Sequence, residues 1–312
     1  MEHIVNRILI TGATGAIGNA LMRQCISSGI EVYALCRKNS NRIKRLPCHE
    51  LVHIIHCDLQ EMHNMDEELV KQLPQIDVFY HFGWAATIGE GRNDMPLQLK
   101  NIQYTLDAVH LAKRLGCHTF VGAGSQAEYG RFEGKLNASV PTFPENGYGM
   151  AKLCAGQMSR VECEKVGLRH IWTRILSIYG PYDGENTMIT STIRKLLQGE
   201  VPALTAGEQM WDYMYSDDVA RAFILLGQKG VHGKTYCLGS GEARPLREYI
   251  QIMRDCINPE AELGFGQVPY GDKQVMYLCA DISELQNDTG FKPETDFRQG
   301  IVKTIDWMKT GA

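Results

Sequence analysis

Tyr148 and Lys152 stand four residues apart in Tyr148-Gly-Met-Ala-Lys152, so a helix would carry a phenol and an ammonium on one face. A phenol with an ordinary pKa of about 10 is a poor base at neutral pH. A nearby cation favours the phenolate and brings it toward the range useful for general acid–base work. The spacing alone also fits an exposed helical pair. Ser125 shifts the balance, because it follows an apolar run, Thr119–Ala123. At the carboxyl end of a strand its hydroxyl could hydrogen-bond a reacting oxygen.

A second constellation concerns phosphate. Thr11-Gly12-Ala13-Thr14-Gly15-Ala16-Ile17-Gly18 follows a β-type run and opens a helical one. Glycines there allow a tight turn and close backbone approach to a pyrophosphate lying on the positive helix N-terminus. Gly12, Thr14, Gly15, Ala16 and Ile17 are the expected contacts. The spacing is G-x-x-G-x-x-G, so the βαβ context carries the reading. An NAD site usually has an acid about 20 residues further on, for the ribose 2′-hydroxyl. Here the segment reads Cys36-Arg37-Lys38-Asn39-Ser40, and Glu31 lies at the wrong end of its strand. Arg37, with Lys38 or Arg42, suits a 2′-phosphate instead. NADP is therefore expected, with NAD possible.

The elements that must position these groups alternate. Ile4–Ile10, Glu31–Cys36, Leu51–Cys57, Ile76–Phe82, Thr119–Ala123 and His170–Leu176 read as strands. Gly15–Ser28, Met62–Leu73, Met95–Leu115 and Tyr148–Val166 read as helices. Such alternation implies an α/β fold, a Rossmann-like doubly wound parallel sheet. After Leu176, Pro, Gly and Thr become frequent, with shorter helices (Thr187–Gln198, Asp217–Gly227, Leu246–Cys256) and isolated strands (Val201–Leu204, Thr235–Leu238). The expected division is a dinucleotide-binding domain over 1–176 and a smaller α/β substrate lobe over 177–312, with segments crossing back.

Composition narrows the partners. The 312 residues carry a net charge of -4, with no basic excess to neutralise a nucleic-acid backbone. No apolar run approaches the roughly 18 residues of a membrane span. Ile8-Leu9-Ile10 runs into Thr-Gly without the apolar core of a signal peptide. A cytoplasmic protein is expected, with neither nucleic acid nor membrane as partner. Ten cysteines without C-x-x-C spacing read as reduced thiols. Cys48, His49, His53, His56 and Cys57 invite a metal reading, but a strand over Leu51–Cys57 sends its side chains to opposite faces. No metal site is expected.

Taken together, the motifs resemble the extended short-chain dehydrogenase/reductase family, specifically its nucleotide-sugar epimerases, dehydratases and ketoreductases. The resemblance runs through the glycine loop, Asp58-Leu59, Asn101 and Gly124-Ser125-Gln-Ala-Glu-Tyr-Gly130. It continues through Tyr148 and Lys152, Arg174-Ile-Leu-Ser-Ile-Tyr-Gly-Pro181, Asp217-Asp218-Val-Ala-Arg221 and Ala280-Asp281-Ile-Ser. It implies Tyr148 as acid/base, Lys152 as its activator and nicotinamide-ribose ligand, and Ser125 as the group that orients the substrate oxygen. It puts Asp58 and Leu59 beside the adenine, and His81, Phe82, Gly83, Asn101 and Leu176 along the cofactor. Trp84, Gln126, Ser177, Arg194 and Trp211 fall on the substrate side.

Departures from the family narrow the chemistry. Gln126 and Ala127 stand where related dehydratases carry an Asp-Glu pair, and Glu128 is one position along. Ser177 replaces the Asn of many epimerases, a form associated with ketoreductases of deoxysugar pathways. Trp211 replaces an Arg that contacts the diphosphate, for which Arg194 and Lys195 are candidate substitutes. The expected activity is NADP(H)-dependent reduction of a keto group on a nucleotide-linked deoxysugar. The alternatives are an epimerase using the same triad and a silent NADP-sensing protein. The resemblance also suggests a homodimer, with a stripe through Leu99, Ile102, Leu106, Val109 and Leu153 available for a four-helix interface.

Overall fold

Short runs of β-branched and aromatic residues, most of them separated by helices and one pair by a 3-10 turn alone, fold as successive parallel strands in a computed structural model that describes residues 3–310. The strands are β1 (Arg7–Thr11), β2 (Glu31–Cys36), β3 (Val52–His56), β4 (Val78–His81), β5 (Thr119–Ser125), β6 (Lys135–Leu136) and β7 (Arg169–Ile175). They continue as β8 (Ser177–Tyr179), β9 (Met210–Trp211), β10 (Tyr213–Tyr215), β11 (Thr235–Leu238), β12 (Arg244–Pro245) and β13 (Tyr277–Ala280). The helices are α1 (Ala16–Ser27), α2 (Glu67–Gln72), α3 (Met95–Arg114), α4 (Gly147–Val166) and α5 (Met188–Leu197). After them come α6 (Ser216–Lys229), α7 (Leu246–Ile257), α8 (Ser283–Thr289) and α9 (Phe297–Lys309).

Seven strands form one parallel sheet in the order β11-β7-β5-β4-β1-β2-β3. The sheet is buried on both faces, which explains its continuous apolar runs. In β1, Ile8 and Ile10 join the core under α1 and α6, while Leu9 joins the core under α3 and α4. β11 and α6 both come from beyond residue 177 and complete this sheet layer. Trp172 of β7 keys α4 to the sheet. Its ring lies so close to Gly122 of β5 and Gly156 of α4 that an added Cβ would come within 2.3 and 2.6 Å of it.

Beyond the carboxyl ends of the strands, α5, α7 and α9 close over Tyr179, Tyr213, Tyr249 and Phe297, with Tyr249 and Phe297 ring centroids 4.5 Å apart. β13 runs parallel to both β9 and β6, and β12 pairs antiparallel with β9. Buried Asp212, between β9 and β10, ties these pieces together. Its carboxylate accepts hydrogen bonds from the backbone of Ser240, Gly241 and Ala280 and from the Ser240 hydroxyl.

Several boundaries differ from the sequence expectation. β1 begins at Arg7 rather than Ile4, because the Asp77 carboxylate takes the backbone N–H groups of Asn6 and Arg7. The helix expected over Met62–Leu73 is split into a 3-10 turn, Leu59–Asn64, and α2. Asp66 caps the restart by accepting from Glu68 N at 2.9 Å. Val201–Leu204 is no strand; it contributes one bridge, Ala203 to Gly264. In the proposed interface stripe, Val109 is fully buried against the molecule's own sheet, and Leu99 is exposed. Among the described residues no helix is long and apolar enough to cross a membrane, and no cluster of His, Cys, Asp or Glu could hold a metal ion.

Candidate active site

Thr11 ends β1, and the chain turns sharply at Gly12, whose φ of +75° favours glycine. A side chain there would also strike the neighbouring strand end, with its Cβ 2.8 Å from the Gly83 nitrogen. Gly15 is the N-cap of α1, and neither a capping side chain nor a first-turn acid occupies that helix end. Thr14, Gly15, Ala16 and Ile17 remain part-exposed around it. The arrangement fits a pyrophosphate. Arg37 is exposed just past β2, and the Ser40-capped turn Asn41–Arg45 brings exposed Arg42 into the same region of the chain. Glu31 is engaged at the far end of β2 by Arg7 and Tyr33.

Asp58 caps the turn Leu59–Asn64, accepting from Leu59 N at 2.6 Å, and Leu59 lies against Gly83. His81 is a strut. Thr11 Oγ1 accepts from Gly83 N and lies 2.9 Å from His81 Nδ1, while His81 Nε2 is 3.3 Å from Thr105 Oγ1. Burial pushes this imidazole down to about 3, so it is neutral. Phe82 packs on Phe223 of α6.

Two expected cofactor residues are otherwise engaged. Asn101 is buried behind the loop that follows β4. Its amide accepts from Ala85 N and donates to Ala85 O and Gln98 Oε1, so it braces the loop. The Leu176 side chain is packed in the apolar cluster of Tyr129, Cys237 and Leu278, leaving only its backbone near the strand ends.

Ser125, Tyr148 and Lys152 converge where β5 meets α4. Ser125 ends β5 and caps the turn Gln126–Glu128, its hydroxyl accepting from Ala127 N. Tyr148 stands in the first turn of α4, which Asn146 caps and which Asn93 holds by accepting from Gly147 N at 3.0 Å. The Tyr148 phenol is pushed up by burial and pulled back by hydrogen bonding to Ser125 and by the Arg92 charge. Lys152 is buried, donates to Ala123 O at 2.5 Å and lies 3.7 Å from the centroid of the Trp84 ring. Burial pushes it down to about 7, against the pull of Glu128. Trp84 is itself fixed through Nε1, which donates to Gln98 Oε1 at 2.9 Å.

Glu128 lies beside this site with its carboxylate already engaged. It is fully buried, paired with Arg174 at 2.8 Å, and accepts from Ser125 N and Trp172 Nε1. Part-exposed Gln126 opens the short turn that ends at this carboxylate. The substrate-side candidates divide. Trp211 Nε1 donates to Ser177 Oγ at 2.8 Å, and Trp211 lines a cavity of about 340 Å³ with Lys195, Leu204, Gln209, Tyr213 and Gln274. Arg194 instead donates to the Glu185 carbonyl and stands outside the lining. Sequence reasoning missed Arg92 and Gln98, which reach the site from an irregular turn and a helix start with no motif around them.

A family model described as the NAD dependent epimerase/dehydratase family matches residues 8–239, well over half of the chain. The chain belongs to that family. As a family member it is an enzyme, with its matched region ending just beyond β11. It is 23% identical over 314 residues to an uncharacterized UDP-glucose epimerase of Bacillus subtilis, covering 97% of this chain and 98% of the relative. It is 25% identical over 320 residues to a dTDP-glucose 4,6-dehydratase of Mycolicibacterium smegmatis, covering 97% and 93%. Its fold is shared with a UDP-N-acetylglucosamine 4-epimerase from Methanobrevibacter ruminantium, solved with UDP-N-acetylmuramic acid. The TM-score is 0.87 at 24% identity, over 99% of this chain and all of the other. This epimerase/dehydratase family member thus brings Ser125, Tyr148 and Lys152 together, while Glu128 is locked to Arg174.

Proposed function

We propose that the chain reduces a keto group on a nucleotide-linked deoxysugar with NADPH, using Ser125, Tyr148 and Lys152. The observation that carries this reading is the engagement of Glu128 by Arg174, with Gln126 and Ala127 beside it. Elimination of water needs a second acid and base near the sugar, and this turn offers none free for that work. Nucleotide-linked sugars are favoured because both curated relatives are named for them.

When bound, the nicotinamide would supply hydride to the carbonyl carbon. Gly12, Thr14, Gly15, Ala16 and Ile17 would hold the pyrophosphate, and Arg37 with Arg42 the 2′-phosphate. Tyr148 would give its proton to the sugar oxygen as negative charge develops there, and Ser125 Oγ would hold that oxygen in line. Lys152, next to Trp84, would hold the nicotinamide ribose. The cavity bounded by Trp211 and Lys195 would take the nucleotide. Two copies would associate through α3 and α4.

An epimerase is the second reading, favoured by the names of the Bacillus relative and of the Methanobrevibacter structure. One assay separates the two. Offered 4-keto-6-deoxy nucleotide sugars with NADPH, the reductase consumes cofactor one-for-one with reduced sugar. Interconversion of two sugars with no net loss of nicotinamide absorbance would overturn it in favour of the epimerase.

A further inference from the structure

A second cavity, of about 100 Å³, opens between α4 and the β11 edge of the sheet. Its walls include Glu128, Arg160, His170, Trp172, Arg174 and Thr235. His170, Trp172 and Arg174 alternate along β7 and so share the face toward α4, with Thr235 beside Trp172 on β11. Arg160 comes from α4 itself. Neither guanidinium is fully satisfied. Arg174 gives Nε to Glu128, but its buried Nη1 has no hydrogen-bond partner among the described residues. Arg160 has neither a hydrogen bond nor an ion pair among them. His170 Nδ1 is likewise buried and unpartnered, while its Nε2 lies 2.9 Å from Ser159 Oγ of α4.

We infer that this cavity binds one small tetrahedral oxyanion, such as inorganic phosphate, between Arg160 and Arg174. Two guanidiniums face one carboxylate there, so the walls carry an excess positive charge that an anion, and not water, would offset. Arginine offers only donors, set in a planar fork that matches carboxylate and phosphate oxygens. A buried guanidinium N–H left without an acceptor costs more than an ordinary hydrogen bond gains, so the unmet Nη1 favours an acceptor-rich occupant. His170 fits the same demand. Burial pushes its pKa down to about 3, so the ring is neutral and donates from Nδ1 in one tautomer only. The Ser159 hydroxyl, by donating to Nε2, selects that tautomer. The cavity shares no wall with the one beside Trp211. Its occupant would compete for Arg174 with Glu128, whose carboxylate also holds Ser125 N.

The test reads the cavity at His170. Protein labelled with 15N at histidine is titrated by NMR with millimolar inorganic phosphate, at constant pH and with sodium chloride holding the ionic strength. The His170 resonances are assigned by their loss in His170→Gln, or by through-bond correlation to the His170 amide should that variant not fold. Phosphate should shift them to saturation, with Nδ1 protonated and Nε2 bare in the bound state. Arg160→Gln, at a part-exposed position, should weaken binding at least about tenfold, the scale of one charge-assisted hydrogen bond. Arg160→Lys should restore part of that loss. No saturable shift in the wild type would overturn the inference, as would equal affinity in Arg160→Gln. So would a bound state protonated at Nε2, or the same shift from chloride alone, which would mark a simple charge site. Phosphate held elsewhere, at the glycine loop or beside Lys195, leaves His170 unmoved and counts against the inference. Turnover plays no part in this readout, so it stands or falls apart from the substrate class.

Discussion

Burial away from water makes the Lys152 ammonium bind its proton less tightly than one in solution, and the consequence has a definite sign. In the unfolded chain it keeps its proton to about 10.5, and in the folded protein to about 7. Between those values the unfolded state holds more protons, so the stability contributed at this site rises with pH through that window. Below about 7 the full penalty of burying the charge is present. The melting temperature of the wild type, relative to Lys152→Met, should therefore climb from pH 7 toward 10; a constant difference would contradict the assignment. For Tyr148→Phe we expect unchanged folding and dinucleotide binding, with turnover lower by about two to four orders of magnitude, the usual scale for a positioned general acid. Ser125→Ala should lose less, since it removes an orienting bond rather than the proton. Arg37→Asp should abolish a preference for NADPH over NADH that we expect to be at least about tenfold, or about 1.4 kcal/mol. Titration of the wild type showing NADH equal or tighter would sink that expectation. At this scale the meeting of Ser125, Tyr148 and Lys152 was legible because residue type and spacing encode it. Arg92 was not, since a turn without periodicity gives no signal of what it faces.

Elements place those groups, and the most demanding contact is the Trp172 ring between Gly122 and Gly156. Because α4 carries Tyr148 and Lys152, the width of this slot sets how far both stand from Ser125. Gly156→Ala has no room for its methyl. It should lower stability by about 1–3 kcal/mol, the range for overpacking a core, and reduce turnover by displacing α4. Urea unfolding with an unchanged midpoint would mean the helix accommodates the methyl without strain. The parallel strands were readable as apolar runs between turn signals. The split at Met65–Asp66 escaped the pattern, because the apolar spacing of Met62, Met65 and Leu69 is helical while Asp66 draws Glu68 N into a cap. The protein contacts of Asn101 and Leu176 were out of reach for a related reason. Sequence places Asn101 in a helix and Leu176 at a strand end, but their partners, Ala85 and the cluster around Tyr129, are ones that only the tertiary fold assembles.

For the whole molecule, exposed apolar side chains mark α3 and α4. Leu99 is 66% exposed, and Met95, Met150, Met158 and Val161 are each about half exposed. Covering such a stripe with its own copy would give an isologous interface. Light scattering at micromolar concentration should report twice the monomer mass, and a 35.0 kDa particle would remove the dimer. A different consequence follows from the order in which the architecture is completed. β6, at Lys135–Leu136, finds its partner only in β13, some 140 residues later, and Asp212 receives the Ala280 amide only then. β11 closes the edge of the large sheet only after residue 238 has emerged. On a ribosome the half that carries β1 to β7 therefore waits with an open sheet edge and an unpaired short strand until β11 and β13 are made. Nascent chains stalled before residue 280 should be engaged by chaperones and cut readily by protease, and release of the C-terminal segment should end both.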